Sequence, residues 1–299
     1  TQAFAALKSD GSVVAWGDAI SGGDPVADGV ASQLTSGVVR IFATGYAFAA
    51  LKNDGSVVTW GGFNNGGNSS AVTSSLASGV TQIFSTTEAF AALKSDGSVV
   101  TWGSSAKGGN SSAVAGSLTS GVSQIFSTAS AFAALKSNGS IVTWGQSLFG
   151  GDSSAVASQL TSDVTQIFAT NEAFAALKSN GSVVTWGKSA SGGNSGPVAG
   201  QIGSGVTQVF SSNQAFAALK SNGSVVTWGY SLGGGDSSSV SSGLTSGVTQ
   251  IFATDNAFSA LKSDGSVVTW GDGGSGGNSS GVASQLASGV TQIFSTDGA

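Results

Sequence analysis

GVTQIFSTTEAFAALKSDGSVVTWG, residues 79–103, is the stretch whose reading decides the fold of this 299-residue chain. Three short apolar runs are visible in it, at residues 81–86, 89–94 and 98–102. β-Branched residues and glycine dominate, and no 3.6-residue apolar period is sustained, so the runs are read as strands and not as helix. Between the second and third runs sits Ser95-Asp96-Gly97. Asp-Gly flanked by apolar residues is a strong hairpin signal and predicts a two-residue type I′ turn, with positive φ at both positions.

Working outward, the same stretch recurs along the whole chain. Trp16, Trp60, Trp102, Trp144, Trp186, Trp228 and Trp270 lie 44 residues apart once and 42 apart thereafter, and Phe42, Phe84, Phe126, Phe168, Phe210, Phe252 and Phe294 recur every 42. The only change of length is a two-residue insertion near 24–30. A fixed period of this size marks a repeat architecture. Within a repeat, Phe90 and Ala92 fall on one face of the second strand and Ala91 and Leu93 on the other. Apolar side chains on both faces require that both faces be covered. One repeat offers about six large apolar side chains, each worth roughly 1.5–3 kcal/mol when fully buried. That is too little to order a repeat alone, so the repeats must stack. The expectation is an all-β fold, a seven-bladed β-propeller of 42-residue repeats forming a single domain over residues 1–299. The chain enters on a second-strand segment (residues 3–8) and leaves on a first-strand segment (residues 291–296). Pairing of these N- and C-terminal strands in one composite blade is therefore expected to close the ring and hide both edges. The first strand of each repeat is expected to be innermost.

Composition removes several function classes. There is no His, Cys or Met, so Ser-His-Asp and Cys-His catalysis, the usual zinc ligand sets and disulfides are out of reach. Only 8% of residues are charged and the net charge is −5, which argues against a nucleic-acid surface. No apolar run approaches the roughly 20 residues of a membrane helix, so no membrane insertion is expected. No signal peptide is read at the start, and the absent initiator Met is expected of a mature fragment or a domain cut from something longer.

Several polar positions recur from repeat to repeat. Lys8, Lys52, Lys94, Lys136, Lys178, Lys220 and Lys262 occupy one repeat position. A ring of ammonium groups could hold an anion, but a lysine beside an exposed hairpin turn is the plainer reading. Asp24, Asn68, Asn110, Asp152, Asn194, Asp236 and Asn278 follow the Gly-Gly pairs. Calcium favours such oxygens, yet each loop offers at most one carboxylate, and loop turning accounts for them without a metal. Gly271-Asp272-Gly273-Gly274-Ser275-Gly276 spells G-x-G-x-x-G, but no helix follows to supply an anion-binding end. Carboxylates scatter singly among repeats, so no acid pair for glycoside chemistry is read. The expectation is no enzyme activity, no cofactor and no metal.

The core A-L-K-S-[DN]-G-S-V-V-T-W-G, as at residues 92–103, resembles the regulator-of-chromosome-condensation repeat with its A-L-x-x-[DN]-G-x-V-x-x-W-G pattern. The shorter repeat is similar to that of the bacterial members typified by beta-lactamase inhibitor protein II. The resemblance covers the whole chain, once per repeat, and implies a propeller that serves as a protein-binding platform. This chain has Gly-Gly-[Asn/Asp]-Ser where the family ends on Gly-Gln-Leu-Gly, and Ala89 where a His often opens the strand. Nucleotide-exchange activity, known in the eukaryotic branch, is therefore not carried over.

Differences between repeats collect in two places: the turn before the second strand and the four residues after Trp-Gly. In a meander both emerge at the same end, while the constant [DN]-G turns lie at the other. This end carries Tyr46, Phe63, Asn64, Glu88, Lys107, Leu148, Phe149, Glu172, Lys188, Gln214, Tyr230 and Leu232, the candidate binding residues. A rigid scaffold with diversified loops and aromatics is the pattern of a recognition surface. The function expected is a non-enzymatic protein-binding or adhesion module, a monomer, extracellular or on a bacterial cell surface, with a protein as partner. The alternatives are a carbohydrate-binding lectin, with glycan as ligand, or a purely structural repeat domain of a larger surface protein.

Overall fold

The computed structural model describes residues 2–296. Their contacts gather into two units, Thr1–Asp152 and Ser153–Ala299. In the first unit the chain begins on a hairpin, β1 (Ala3–Leu7) and β2 (Val13–Gly17), and then lays down a three-stranded meander three times. These are β3 (Val38–Ala43), β4 (Ala47–Lys52) and β5 (Val57–Gly61); β6 (Val80–Ser85), β7 (Ala89–Lys94) and β8 (Val99–Gly103); and β9 (Val122–Ser127), β10 (Ala131–Lys136) and β11 (Ile141–Gly145). The second unit repeats the meander three times more. Its strands are β12 (Val164–Ala169), β13 (Ala173–Lys178) and β14 (Val183–Gly187); β15 (Val206–Ser211), β16 (Ala215–Lys220) and β17 (Val225–Gly229); and β18 (Val248–Ala253), β19 (Ala257–Lys262) and β20 (Val267–Gly271). All pairings are antiparallel and follow chain order. The fold class is all-β, seven tandem blades of the seven-bladed propeller type.

Both faces of the second strands β7, β10, β13 and β16 are buried, as the apolar pattern required, while β1 is largely exposed. Phe90, Ala92 and Trp102 pack on Ala47, Ala49 and Leu51 of the blade before. Ala89, Ala91 and Leu93 pack under Phe132, Ala134 and Trp144 of the blade after. Phe90 stacks on Trp102 across the strand pair, with centroids 5.2 Å apart, and the same stack recurs in every blade. The Trp102 indole N–H donates to the carbonyl of Gly66 in the preceding repeat at 3.0 Å. Gly66 has φ +107°, and a Cβ there would stand 2.6 Å from the Phe90 ring. The Gly-Gly pair is thus the flat seat on which the next blade's Phe–Trp stack rests, a packing role beyond loop turning. Along the first strands, β3 adjoins β6 and β6 adjoins β9, while β12 adjoins β15 and β15 adjoins β18.

The hairpin turn differs from the two-residue type I′ turn expected. Gly97 has φ +76°, but among the described residues Asp163 is the only non-glycine with positive φ, so Asp96 does not take it. Gly97 N–H donates to the Lys94 carbonyl and Lys94 N–H to the Ser98 carbonyl. This is a three-residue loop, a type I turn closed by glycine in a G1 bulge. The Asp96 carboxylate, by accepting from Ser98 N–H and Ser98 Oγ at 2.9 and 2.6 Å, favours this form.

The expected composite blade is not confirmed among the described residues. Residues 291–296 take no strand conformation, and β2 is the only ladder partner of β1 among the described residues. Elsewhere the first strand turns straight into the second strand that follows it and pairs there. Residues 291–296 and β1 thus stand outside the three-stranded meanders of the other copies. Thr1 and residues 297–299 lie outside the described residues.

Candidate binding surface

The two variable places of each repeat lie side by side. Gly62 N–H donates to the Tyr46 carbonyl at 2.8 Å, and Ser104 N–H to that of Glu88 at 2.9 Å. In the second unit Lys188 N–H donates to Glu172, and Tyr230 N–H to Gln214, both at 2.9 Å. The residues after Trp-Gly form a single 3₁₀ turn in each repeat, such as Ser105–Lys107, closed by a left-handed glycine such as Gly108.

A recurring hydroxyl holds the pair of variable segments in six of the repeats. Thr86 Oγ1 accepts from Ala89 N–H at 3.0 Å and donates to the Lys107 carbonyl at 2.9 Å. Thr44, Thr128, Thr170, Ser212 and Thr254 repeat this contact with the carbonyls of Asn65, Phe149, Ser191, Gly233 and Ser275. Neighbouring turns are tied as well. Gly45 N–H donates to Thr87 O and Thr87 N–H to Ala129 O, while Asn171 donates to Asn213 and Asn213 to Asp255. Within each unit the surface is therefore a row of loops fixed by backbone bonds, with only side chains left to vary.

In the first unit, Tyr46, Phe63, Asn64 and Leu148 are exposed, Phe63 at 70%. Glu88, Lys107 and Phe149 are half-buried. Lys107 Nζ donates to Ser130 Oγ at 3.0 Å and Gln146 Oε1 at 3.4 Å, and lies 5.6 Å from the Phe149 ring centroid. Four residues at variable positions thus form one cluster around the lysine, with a cation–aromatic contact. In the second unit, Lys188 Nζ lies 2.8 Å from Oε1 and 2.7 Å from Oε2 of Glu172, and Ser191 Oγ donates to the same Oε2 at 2.6 Å. Partial burial pushes the Glu172 carboxyl up, but hydrogen bonds from Lys188, Ser191 and Gln214 outweigh it and hold it below the usual range. Tyr230 and Leu232 are exposed beside this cluster, and Gln214 is half-buried.

Three residues of the surface are absent from the sequence-derived set. Ile20, 80% exposed, occupies the same turn position as Leu148 and Leu232, a match that aligning the repeats brings out. Ser130 and Ser191 are buried at variable positions and act as anchors for Lys107 and Glu172. No sequence signal separates them from the other serines.

The opposite end is invariant for a structural reason. Lys94 Nζ donates to the Ser75 carbonyl at 2.9 Å, and Lys52, Lys136, Lys178 and Lys220 do the same 19 residues back. Each of these lysines therefore ties down the chain just before the first strand of its own blade. Asn68 Oδ1 and its counterparts accept from the backbone N–H two residues on, as Asx turns do.

No family model matches this chain, and no curated protein does. Among solved structures it is similar to Prp20p, the yeast RCC1 protein of Saccharomyces cerevisiae, at 13% identity over 78% of this chain and 72% of that one, with TM-score 0.42. It is also similar to the ectodomain of the receptor kinase CR4 from Physcomitrella patens, at 15% identity over 90% of this chain and 70% of that one, TM-score 0.41. Human WBSCR16 is similar at 14% identity over 80% and 79%, TM-score 0.45.

Proposed function

We propose that this chain is a non-enzymatic protein-binding module that presents its variable loops on a rigid stack of blades. In this reading the repeats are of the regulator-of-chromosome-condensation type, in the short form resembling the bacterial members, and the module works outside the cell. The observation that carries the reading is the constant hydroxyl clamp. From the second repeat to the seventh, the variable pair is held by the same Thr or Ser contact, so the loops change side chains while keeping their backbone. Preorganised loops lose little entropy on binding, and exposed Tyr46, Phe63, Leu148, Tyr230 and Leu232 supply apolar area of the kind found at interface anchors.

The test is capture of binding proteins from secreted and surface fractions on the immobilised chain. Tyr46→Ala with Phe63→Ala and Leu148→Ala should abolish capture by the first unit, and Tyr230→Ala with Leu232→Ala capture by the second. Asp96→Asn at the opposite end should change nothing. Undiminished capture by the combined five-fold variant would sink the reading.

A glycan ligand has one observation in its favour. Grooves of about 500 and 670 Å³ recur between successive blades of the second unit, lined by Asn194 and Ser195 in one and by Asp236 and Ser237 in the next. Glycan binding that survives the five-fold variant and is lost on Ser195→Trp would favour that reading over a protein partner.

A further inference from the structure

We propose that the groove beside Gly103 binds a carboxylate of the partner protein, an acidic side chain seated where the chain seats its own Asp28 one repeat earlier. The source of that side chain rests on the protein-binding reading above; the site itself does not.

The last strand of each meander has an outer edge. In β8, Lys94 N–H donates to the Ser98 carbonyl and Ser104 N–H to that of Glu88, so the even-numbered residues face β7. Val99 N–H donates the other way, to the Leu118 carbonyl at 2.9 Å. Antiparallel ladder groups alternate in this fashion, which turns Gly103 N–H outward too. It finds no acceptor among the described residues. In β5 the corresponding N–H, that of Gly61, donates to Asp28 Oδ2 at 2.9 Å. Asp28 lies in the two-residue insertion, folded so that Asp24 Oδ1 accepts from Val26 and Ala27 N–H. The chain thus shows directly what an edge of this kind accepts.

Asn68 stands at the repeat position of Asp24, and the segment that follows it lacks the insertion. A cavity of about 380 Å³ opens there, lined by Asn68 and Val72 on one side, Thr101, Gly103 and Asn110 on the other, and the exposed Phe63. No charged side chain lines it. Asn68 and Asn110 each take a backbone N–H on Oδ1 at 2.9 Å, which leaves their carboxamide N–H groups to donate. An acceptor bearing negative charge makes the stronger, charge-assisted bonds to such donors. Among the residues that follow the seven Gly-Gly pairs, Asn68 and Asn110 are the only consecutive two without an acid. At the other junctions Asp24, Asp152 or Asp236 sets a like charge beside an incoming carboxylate. Phe63 adds apolar contact that an acidic residue within a polypeptide can use and a bare inorganic anion cannot.

The probe is the insertion itself as a free peptide, residues 25–30 acetylated and amidated, titrated into the intact isotope-labelled chain. Its carboxylate should move the Gly103 amide proton downfield and slow its exchange with solvent. The effect should fade as pH falls through about 4, where an aspartate protonates. The same peptide with Asp28→Asn should leave Gly103 unmoved. Gly61, already occupied, should respond to neither peptide in the parent chain, and to the acidic one once Asp28→Ala empties it. Asn68→Asp with Asn110→Asp, acids that other repeats carry at the same position, should keep the fold and weaken the peptide by about tenfold, because like charges disfavour the bound form. No movement at Gly103, or equal movement with both peptides, overturns the site. A protein captured by the parent chain, lost on the five-fold variant and held undiminished by the double Asp variant would keep the binding module and overturn the acidic contact. A carboxylate-dependent response at Gly103 in a chain that captures nothing would do the reverse, upholding the site while the module reading fails.

Discussion

A single hydroxyl does more for the candidate surface than any of the side chains displayed on it. Thr128 is buried, accepts from the N–H groups of Ser130 and Ala131, and donates to the Phe149 carbonyl. Thr128→Val keeps the shape and removes all three bonds. Buried donors and acceptors left without partners cost about 1–3 kcal/mol, so urea unfolding should show a loss of that order. The exposed Thr119, which bonds only to Gly116 O, should accept the same change within about 0.5 kcal/mol. Glycine seats are the other sensitive positions. Gly108 has φ +100°, and its missing Cβ would lie 2.6 Å from the Phe132 ring. Gly108→Ala combines backbone strain with overpacking, each of order 1–3 kcal/mol. Gly116, with open space around the added carbon, is the control that should show no such loss.

At the scale of the element, the hairpins respond to acid. Asp10, Asp54, Asp96 and Asp264 accept from the hydroxyl and N–H of the serine two residues on, which holds their carboxyls low, Asp10 at about 2 against an ordinary 3.8. A carboxyl held lower in the folded chain than in the unfolded one contributes stability above its ordinary range. That contribution is lost as pH falls through the folded value. Thermal stability should therefore decline between about pH 4 and pH 2. Asn138, Asn180 and Asn222 make the same bonds without titrating, so replacing the four aspartates by asparagine should shallow the decline. An unaltered acid profile would place the sensitivity elsewhere. Strand positions were legible in the sequence because burial on both faces left only one reading: residues 81–86, 89–94 and 98–102 became Val80–Ser85, Ala89–Lys94 and Val99–Gly103. The turn type was not, because Asp-Gly suits both a two-residue loop and the three-residue G1 form, and the serine that decides between them lies outside the dipeptide. Co-location of the variable loops was legible from the meander alone. The pairing of Lys188 with Glu172 was not, since it depends on side-chain placement that spacing does not fix.

Across the whole molecule, identical sequence does not mean identical energy. Each blade is stabilised by its neighbours, as in any quasi-linear stack of repeats. Trp102 and Trp16 occupy the same repeat position, stack on Phe90 and Phe4 in the same way, and differ in how far they are covered. Trp102 is 4% exposed and donates to Gly66, whereas Trp16 is half-exposed. Trp102→Ala should cost about 3–5 kcal/mol, the range for a large buried aromatic. Trp16→Ala loses only its stack on Phe4, about 0.5–1.5 kcal/mol. The comparison is made by urea unfolding followed with far-ultraviolet circular dichroism. A cost at Trp16 as large as that at Trp102 would mean that the Trp16 ring is covered in solution.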